Sequence, residues 1–83
     1  MGTSVGTEDA GKTVNFLDKE GNSLSGTVGK DGKVHVKDGN GKEWMYSGIK
    51  WDREKEAWTT SKDREEYIPP PPPPKPAPQP SYS

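Results

Sequence analysis

The chain has no cysteine, a single histidine and a single phenylalanine, and none of its apolar runs is long. Without cysteine there are no disulfides and no thiolate metal sites, although this leaves the compartment open. His35 is the one imidazole, so the several nitrogen or sulfur ligands of a zinc site are missing. Nucleophile–base pairs have the same shortage of partners. No apolar stretch approaches the roughly 20 residues of a membrane span. Charge of one sign is not in excess either: twelve basic and thirteen acidic residues give a net charge of −1. No basic stripe exists to neutralise phosphates, which removes the electrostatic footprint of nucleic-acid binding. A polybasic membrane patch is excluded on the same ground. The carboxylates sit in turns and charge clusters, with no apolar flanks to raise a pKa for acid–base work. The expectation is a protein that is not an enzyme and takes neither cofactor nor metal.

Hydrophobic residues make up only 25% of the 83 residues. Ordinary domains reach about 45–50% in a broader count that includes glycine. The apolar side chains nevertheless cluster between Val14 and Trp58, enough for a minimal core. A core of that size rarely yields more than about 3–5 kcal/mol net. The opening Met1-Gly2-Thr3-Ser4-Val5-Gly6 lacks the positive and apolar regions of a signal peptide. Gly6 also stands where a myristoylation pattern needs serine or threonine. A cytoplasmic location is the default expectation. Residues 1–11 are small and polar and read as a disordered arm.

What the chain does have is punctuation, with ten glycines and nine prolines. From Thr13 onward, short alternating runs meet turn-rich clusters. Thr13 to Leu17 and Ser23 to Val28 alternate apolar with polar, and Lys33-Val34-His35-Val36-Lys37 places both valines on one face and His35 on the other. Asp31-Gly32 between two such runs predicts a two-residue type I′ hairpin turn, and Asp38-Gly39-Asn40-Gly41 offers a second turn. Glu43 to Trp51 reads as one longer strand, with a bulge or bend at Ser47-Gly48. Residues 53–56 form a loop before Ala57-Trp58. Turn signals every 8–13 residues predict an all-β domain over residues 12–60, a small five-stranded antiparallel meander or barrel of the SH3-like or OB-like kind. Residues 61–68 are then a linker with room for one helical turn at 62–66.

Trp44, Trp51 and Trp58 lie seven residues apart. Gly48 and the threonine pair at 59–60 disfavour a helix through all three. In the hairpin reading Trp51 falls opposite Trp58, an aromatic cross-strand pair. The indoles either fill a core short of aliphatics or, with Tyr46, line a groove that reads a peptide or a sugar. The stretch from Tyr46 to Asp52, followed by Ala57-Trp58, resembles the first hairpin of plant-type AP2 DNA-binding domains over about thirteen residues. That family's DNA-contacting arginines are largely missing here, and Glu54 and Glu56 crowd the turn, so DNA binding is not carried over.

The most specific signal is the end of the chain. Residues 69–74 are six consecutive prolines, and residues 69–80 hold all nine. Proline fixes φ and removes a backbone donor, so residues 69–83 are expected to form a solvated polyproline II tail. Pro70, Pro73 and Lys75 satisfy the pattern PxxPx followed by a basic residue, which resembles SH3-domain ligands. Ile68 before six prolines also resembles profilin-binding stretches, whereas the Pro-Pro-x-Tyr pattern of WW ligands is absent. The bland counterpart is a stiff spacer. Together these features predict a non-catalytic interaction module that binds a protein partner through its proline tail, with Trp44, Tyr46, Trp51 and Trp58 as further contacts. The alternative is a structural subunit whose tail packs along its neighbours.

Overall fold

A computed structural model describes residues 1–82; Ser83, the last residue of the expected tail, lies outside the described residues. Seven short strands form one sheet: β1 Thr13–Leu17, β2 Ser23–Val28, β3 Val34–Lys37, β4 Glu43–Tyr46, β5 Lys50–Asp52, β6 Ala57–Thr59 and β7 Glu65–Glu66. Their spatial order is β5-β6-β1-β2-β3-β4-β7. The protein is all-β, and β1 to β4 make the expected antiparallel meander. The remainder departs from a five-stranded antiparallel plan. β6 lies parallel to β1, with Phe16 beside Trp58, and β7 adds an edge beyond β4. The run from Glu43 to Trp51 is two strands on remote parts of the sheet, because Gly48 at φ +66° turns the chain instead of bulging it.

That split forces the sheet to curl. In the spatial order β4 and β5 stand five strand spacings apart, about 24 Å if the sheet were flat. The connector 47–49 between them spans at most about 14 Å. The sheet therefore closes on itself as an open half-barrel. Its concave side brings Phe16 of β1 against Tyr46 of β4, with ring centroids 5.0 Å apart. Val14, Phe16, Val28, Val34, Tyr46 and Ile49 form the buried core. Thr60, also buried, donates its hydroxyl to the Ser47 carbonyl at 2.6 Å and ties the end of β6 to the connector.

Gly26 sits where β3 crosses closest to β2. A Cβ there would lie 2.5 Å from the His35 carbonyl oxygen and 2.7 and 2.8 Å from methyls of Val34 and Val36. Only glycine allows the two strands to approach this closely, as at barrel corners.

The hairpin turns also differ from the expected two-residue type. Asp18 to Asn22, Gly29 to Lys33 and Asp38 to Lys42 each close a three-residue loop, with Gly21, Gly32 and Gly41 at φ near +80°. This is the glycine-bulge hairpin, in which one residue takes the left-handed conformation. Asp18 and Asp38 each accept two backbone N–H groups of their own turn through Oδ1.

Segments on both sides of residues 12–60 bond to the sheet. Val5 N–H donates to the Ile49 carbonyl and Trp51 N–H to that of Thr3, so residues 3–5 run alongside β5. A turn of 3-10 helix follows at Thr7–Asp9. The Asp9 carboxylate, only 1% exposed, accepts from Gly6 N–H at 3.1 Å and from Lys12 Nζ at 3.3 Å. In place of a helical turn in the linker, residues 65–66 form β7 and Tyr67 N–H donates to the Glu43 carbonyl.

Candidate functional site

The feature with the clearest chemical signature is the tail, and the structure shows how it is rooted. Tyr67 is held twice: its N–H bonds to the Glu43 carbonyl at 3.0 Å, and its ring packs edge-to-face on His35, with centroids 5.2 Å apart. From Ile68, 78% exposed, through Tyr82 every described residue is exposed and none belongs to a helix or strand. Pro70, Pro73 and Lys75 all lie on this projecting segment. The radius of gyration is 17.8 Å, against about 12 Å for a compact chain of this length. The ring of each following proline disfavours helical geometry in the residue before it, which drives Ile68 and the prolines after it toward extended backbone.

His35 is on the outer face of β3, as its alternation with Val34 and Val36 predicts, but it is no plain surface residue. Its side chain is 19% exposed and lies between two carboxylates. Nδ1 meets Glu43 Oε2 at 3.0 Å, and Nε2 meets Asp31 Oδ1 and Oδ2 at 3.1 Å. Gly29 leaves room for this: a Cβ there would come within 2.6 Å of Nε2. Burial alone would pull the imidazole pKa down, but hydrogen bonds to Glu43 and Asp31, with their charges, outweigh it and hold the pKa above its ordinary value. Among the described residues no group of three or more His, Asp or Glu side chains is arranged to hold a metal. The two carboxylates here approach opposite ring nitrogens and so enclose the imidazole, not a shared cation.

The aromatic candidates divide. Tyr46, 5% exposed, is a core residue against Phe16. Trp51 and Trp58 face each other across β5 and β6 in the expected register, with centroids 5.5 Å apart. Trp58 packs on the core, whereas Trp51 remains 41% exposed. Trp44 lines a groove of about 630 Å³ with Leu24 and Tyr46. Residues 62–64 of the chain form part of its wall. The Arg64 guanidinium lies 3.8 Å from the centre of the Trp44 ring, Lys19 pairs with Asp63, and the indole N–H is engaged by Asp38 Oδ2 at 3.0 Å. Accordingly the Trp44 indole, followed by the Lys42 N–H, holds the Asp38 carboxyl below its usual range.

Sequence reasoning missed three participants: Tyr67, Asp31 and Glu43. A partial signal existed, since Asp31 and Glu43 flank the strand of the only histidine. Tyr67 carried none, because two-residue strands leave no periodicity to read. Searches against known proteins return no matching protein-family profile, no matching curated protein and no matching solved structure.

Proposed function

We propose that the protein is a non-catalytic interaction module, in which the half-barrel grips one end of a polyproline II rod and presents the rest to a partner protein. The supporting observation is the contrast at Tyr67: it is fixed to β4 and His35, while every described residue after it is exposed. In a polyproline helix, with three residues per turn, Pro70 and Pro73 share one side of the rod. Lys75 follows at the spacing at which SH3-type ligands meet an acidic rim. Six prolines span about 19 Å, enough to cross an aromatic groove. A likeness of the half-barrel to SH3-like or OB-like modules belongs to the same reading, supported by its short strands and strong curl.

The test is calorimetric titration of the full chain with a panel of purified SH3 domains and with profilin. At least one titration should show saturable binding that is lost in Pro70→Ala/Pro73→Ala and weakened in Lys75→Glu. Equal binding by the double-alanine variant, or no binding to either class, would overturn the reading. A second reading, a structural subunit of a larger assembly, is favoured by the small core of six buried apolar side chains. It predicts that native material elutes from gel filtration in a stable complex rather than at the monomer position.

A further inference from the structure

The Trp44 ring already carries Arg64 of the same chain, so the arrangement left without a role is the one around His35 on the opposite face of β3 and β4. We infer that Asp31, His35, Glu43 and Tyr67 form a proton-operated latch on the root of the proline tail: the imidazolium holds Tyr67 on the sheet, and loss of its proton releases it.

The geometry calls for the proton. A neutral imidazole donates from one nitrogen and presents a lone pair at the other, whereas an imidazolium donates from both. Both nitrogens of His35 face carboxylate oxygens at 3.0–3.1 Å, and a carboxylate can only accept. The pattern is complete only when His35 is charged. Deprotonation turns one of these hydrogen bonds into the approach of a lone pair to an anion.

The mechanical link runs through Glu43. Its side chain accepts from His35 and its main-chain carbonyl accepts from Tyr67 N–H, so one residue at the start of β4 serves both the switch and the tail root. The Tyr67 ring packs directly on the imidazole. Beyond Tyr67 the chain has no further bond to the sheet among the described hydrogen bonds, so freeing Tyr67 moves the last anchor of the rod back to β7 at residues 65–66.

Other charged groups near the imidazole are Lys30 in the β2–β3 loop, Glu65 of β7, which pairs across from Met45 on the same sheet face, Lys33 just before β3 and Lys37 at its end. Lys33 Nζ lies 3.8 Å from Glu65 Oε2, which leaves Asp31 and Glu43 as the partners of the ring. No other titratable group closes on His35 from β2, whose residue opposite it is Thr27.

The direction of the effect follows. A folded-state pKa above the ordinary 6.5 means that the latch contributes fully below that value and is lost as pH rises through the folded pKa. The tail root is therefore tight in mildly acidic solution and looser in mildly alkaline solution. This device does not depend on what the tail binds.

Hydrogen–deuterium exchange of the full chain, read residue by residue by NMR from about pH 5 to about pH 9 and corrected for the intrinsic pH dependence of exchange, tests the latch. The protection factor of the Tyr67 amide should fall several-fold, with the midpoint at which the His35 ring carbon shifts titrate. Protection of the Phe16 and Val14 amides should stay level. In His35→Gln the Tyr67 protection should be low and independent of pH. In Glu43→Gln, which keeps a hydrogen-bonding side chain, the His35 midpoint should drop and the Tyr67 transition should move with it. A Tyr67 protection that stays flat through the His35 titration, or a transition that persists in His35→Gln, overturns the latch.

Discussion

Gly26→Ala adds one methyl group and should remove close to half of the stability of this domain. In an ordinary strand the exchange is favourable, because alanine loses less backbone freedom on folding, by about 0.5–1 kcal/mol. Here the added Cβ would stand 2.5 Å from the His35 carbonyl oxygen and under 3 Å from methyls of Val34 and Val36. The valine methyls can rotate only into a filled core, and the carbonyl is backbone, so β3 must move away from β2. Overpacking of this kind costs about 1–3 kcal/mol, and a backbone obstacle puts it at the upper end. The net loss is about 2 kcal/mol from a total of about 3–5 kcal/mol. For a domain of this size that lowers Tm by roughly 10 °C. Circular dichroism melts of wild type, Gly26→Ala and the control Gly39→Ala measure it; at Gly39 a Cβ meets nothing within 4 Å and the backbone is ordinary. If Gly26→Ala melts at or above wild type, the approach of β2 and β3 does not require glycine at this position.

Val34, with no exposed surface, cannot accommodate a charge, so Val34→Asp should show no cooperative melt at any temperature, as its circular dichroism will reveal. Glu56 closes the β5–β6 loop at φ +48°, a conformation that strains any residue with a Cβ; Glu56→Gly should gain about 1 kcal/mol in urea denaturation. The carboxyls of Asp9, Asp18 and Asp38 are held below their ordinary 3.8, first by the Gly6 N–H, the Asn22 N–H and the Trp44 indole N–H respectively. Their contribution is present above that value and lost as pH falls through the lower folded values, so urea midpoints should drop below about pH 4 and less steeply in Asp18→Asn.

The meander was legible because alternation over β1 to β4 is clean: Val14 and Phe16, Leu24 and Val28, Val34 and Val36, Trp44 and Tyr46 each point inward. The pairing of Trp51 with Trp58 was legible from loop length alone. What escaped was everything that depends on the curl. A parallel pair such as Phe16 with Trp58 leaves no local mark, and the meaning of Gly48 as a corner, not a bulge, depends on where β5 ends up. The three-residue turns were hidden by their own glycines. Asp31-Gly32 invites a two-residue turn, yet only Gly32 takes the left-handed conformation, and Asp31 turns its carboxylate to the Lys33 N–H and to His35. Lys-Glu-Gly-Asn at 19–22 and Lys-Asp-Gly-Asn at 37–40 also look alike as letters, but that likeness is out of register with the structure. The structural repeat aligns Asp18 with Asp38 and Gly21 with Gly41, so equivalent jobs are done two positions away from where the letters match.

The hold on the tail divides into two parts that answer to different solution conditions. Residues 62–66 are fastened by Lys19 with Asp63, Lys33 with Glu65, Lys42 with Glu66, and Arg64 over Trp44. The ion pairs among these are largely exposed, and pairs of that kind contribute little and weaken as salt rises. Tyr67 is different: its ring contact is with a side chain mostly withdrawn from water, and its backbone bond is neutral. Salt should therefore loosen residues 62–66 while leaving the Tyr67 amide protected, whereas alkaline pH should act first on Tyr67. A rod needs a firm base to keep its direction, and on this sheet the last firm point before the prolines is a tyrosine resting on the only histidine in the chain.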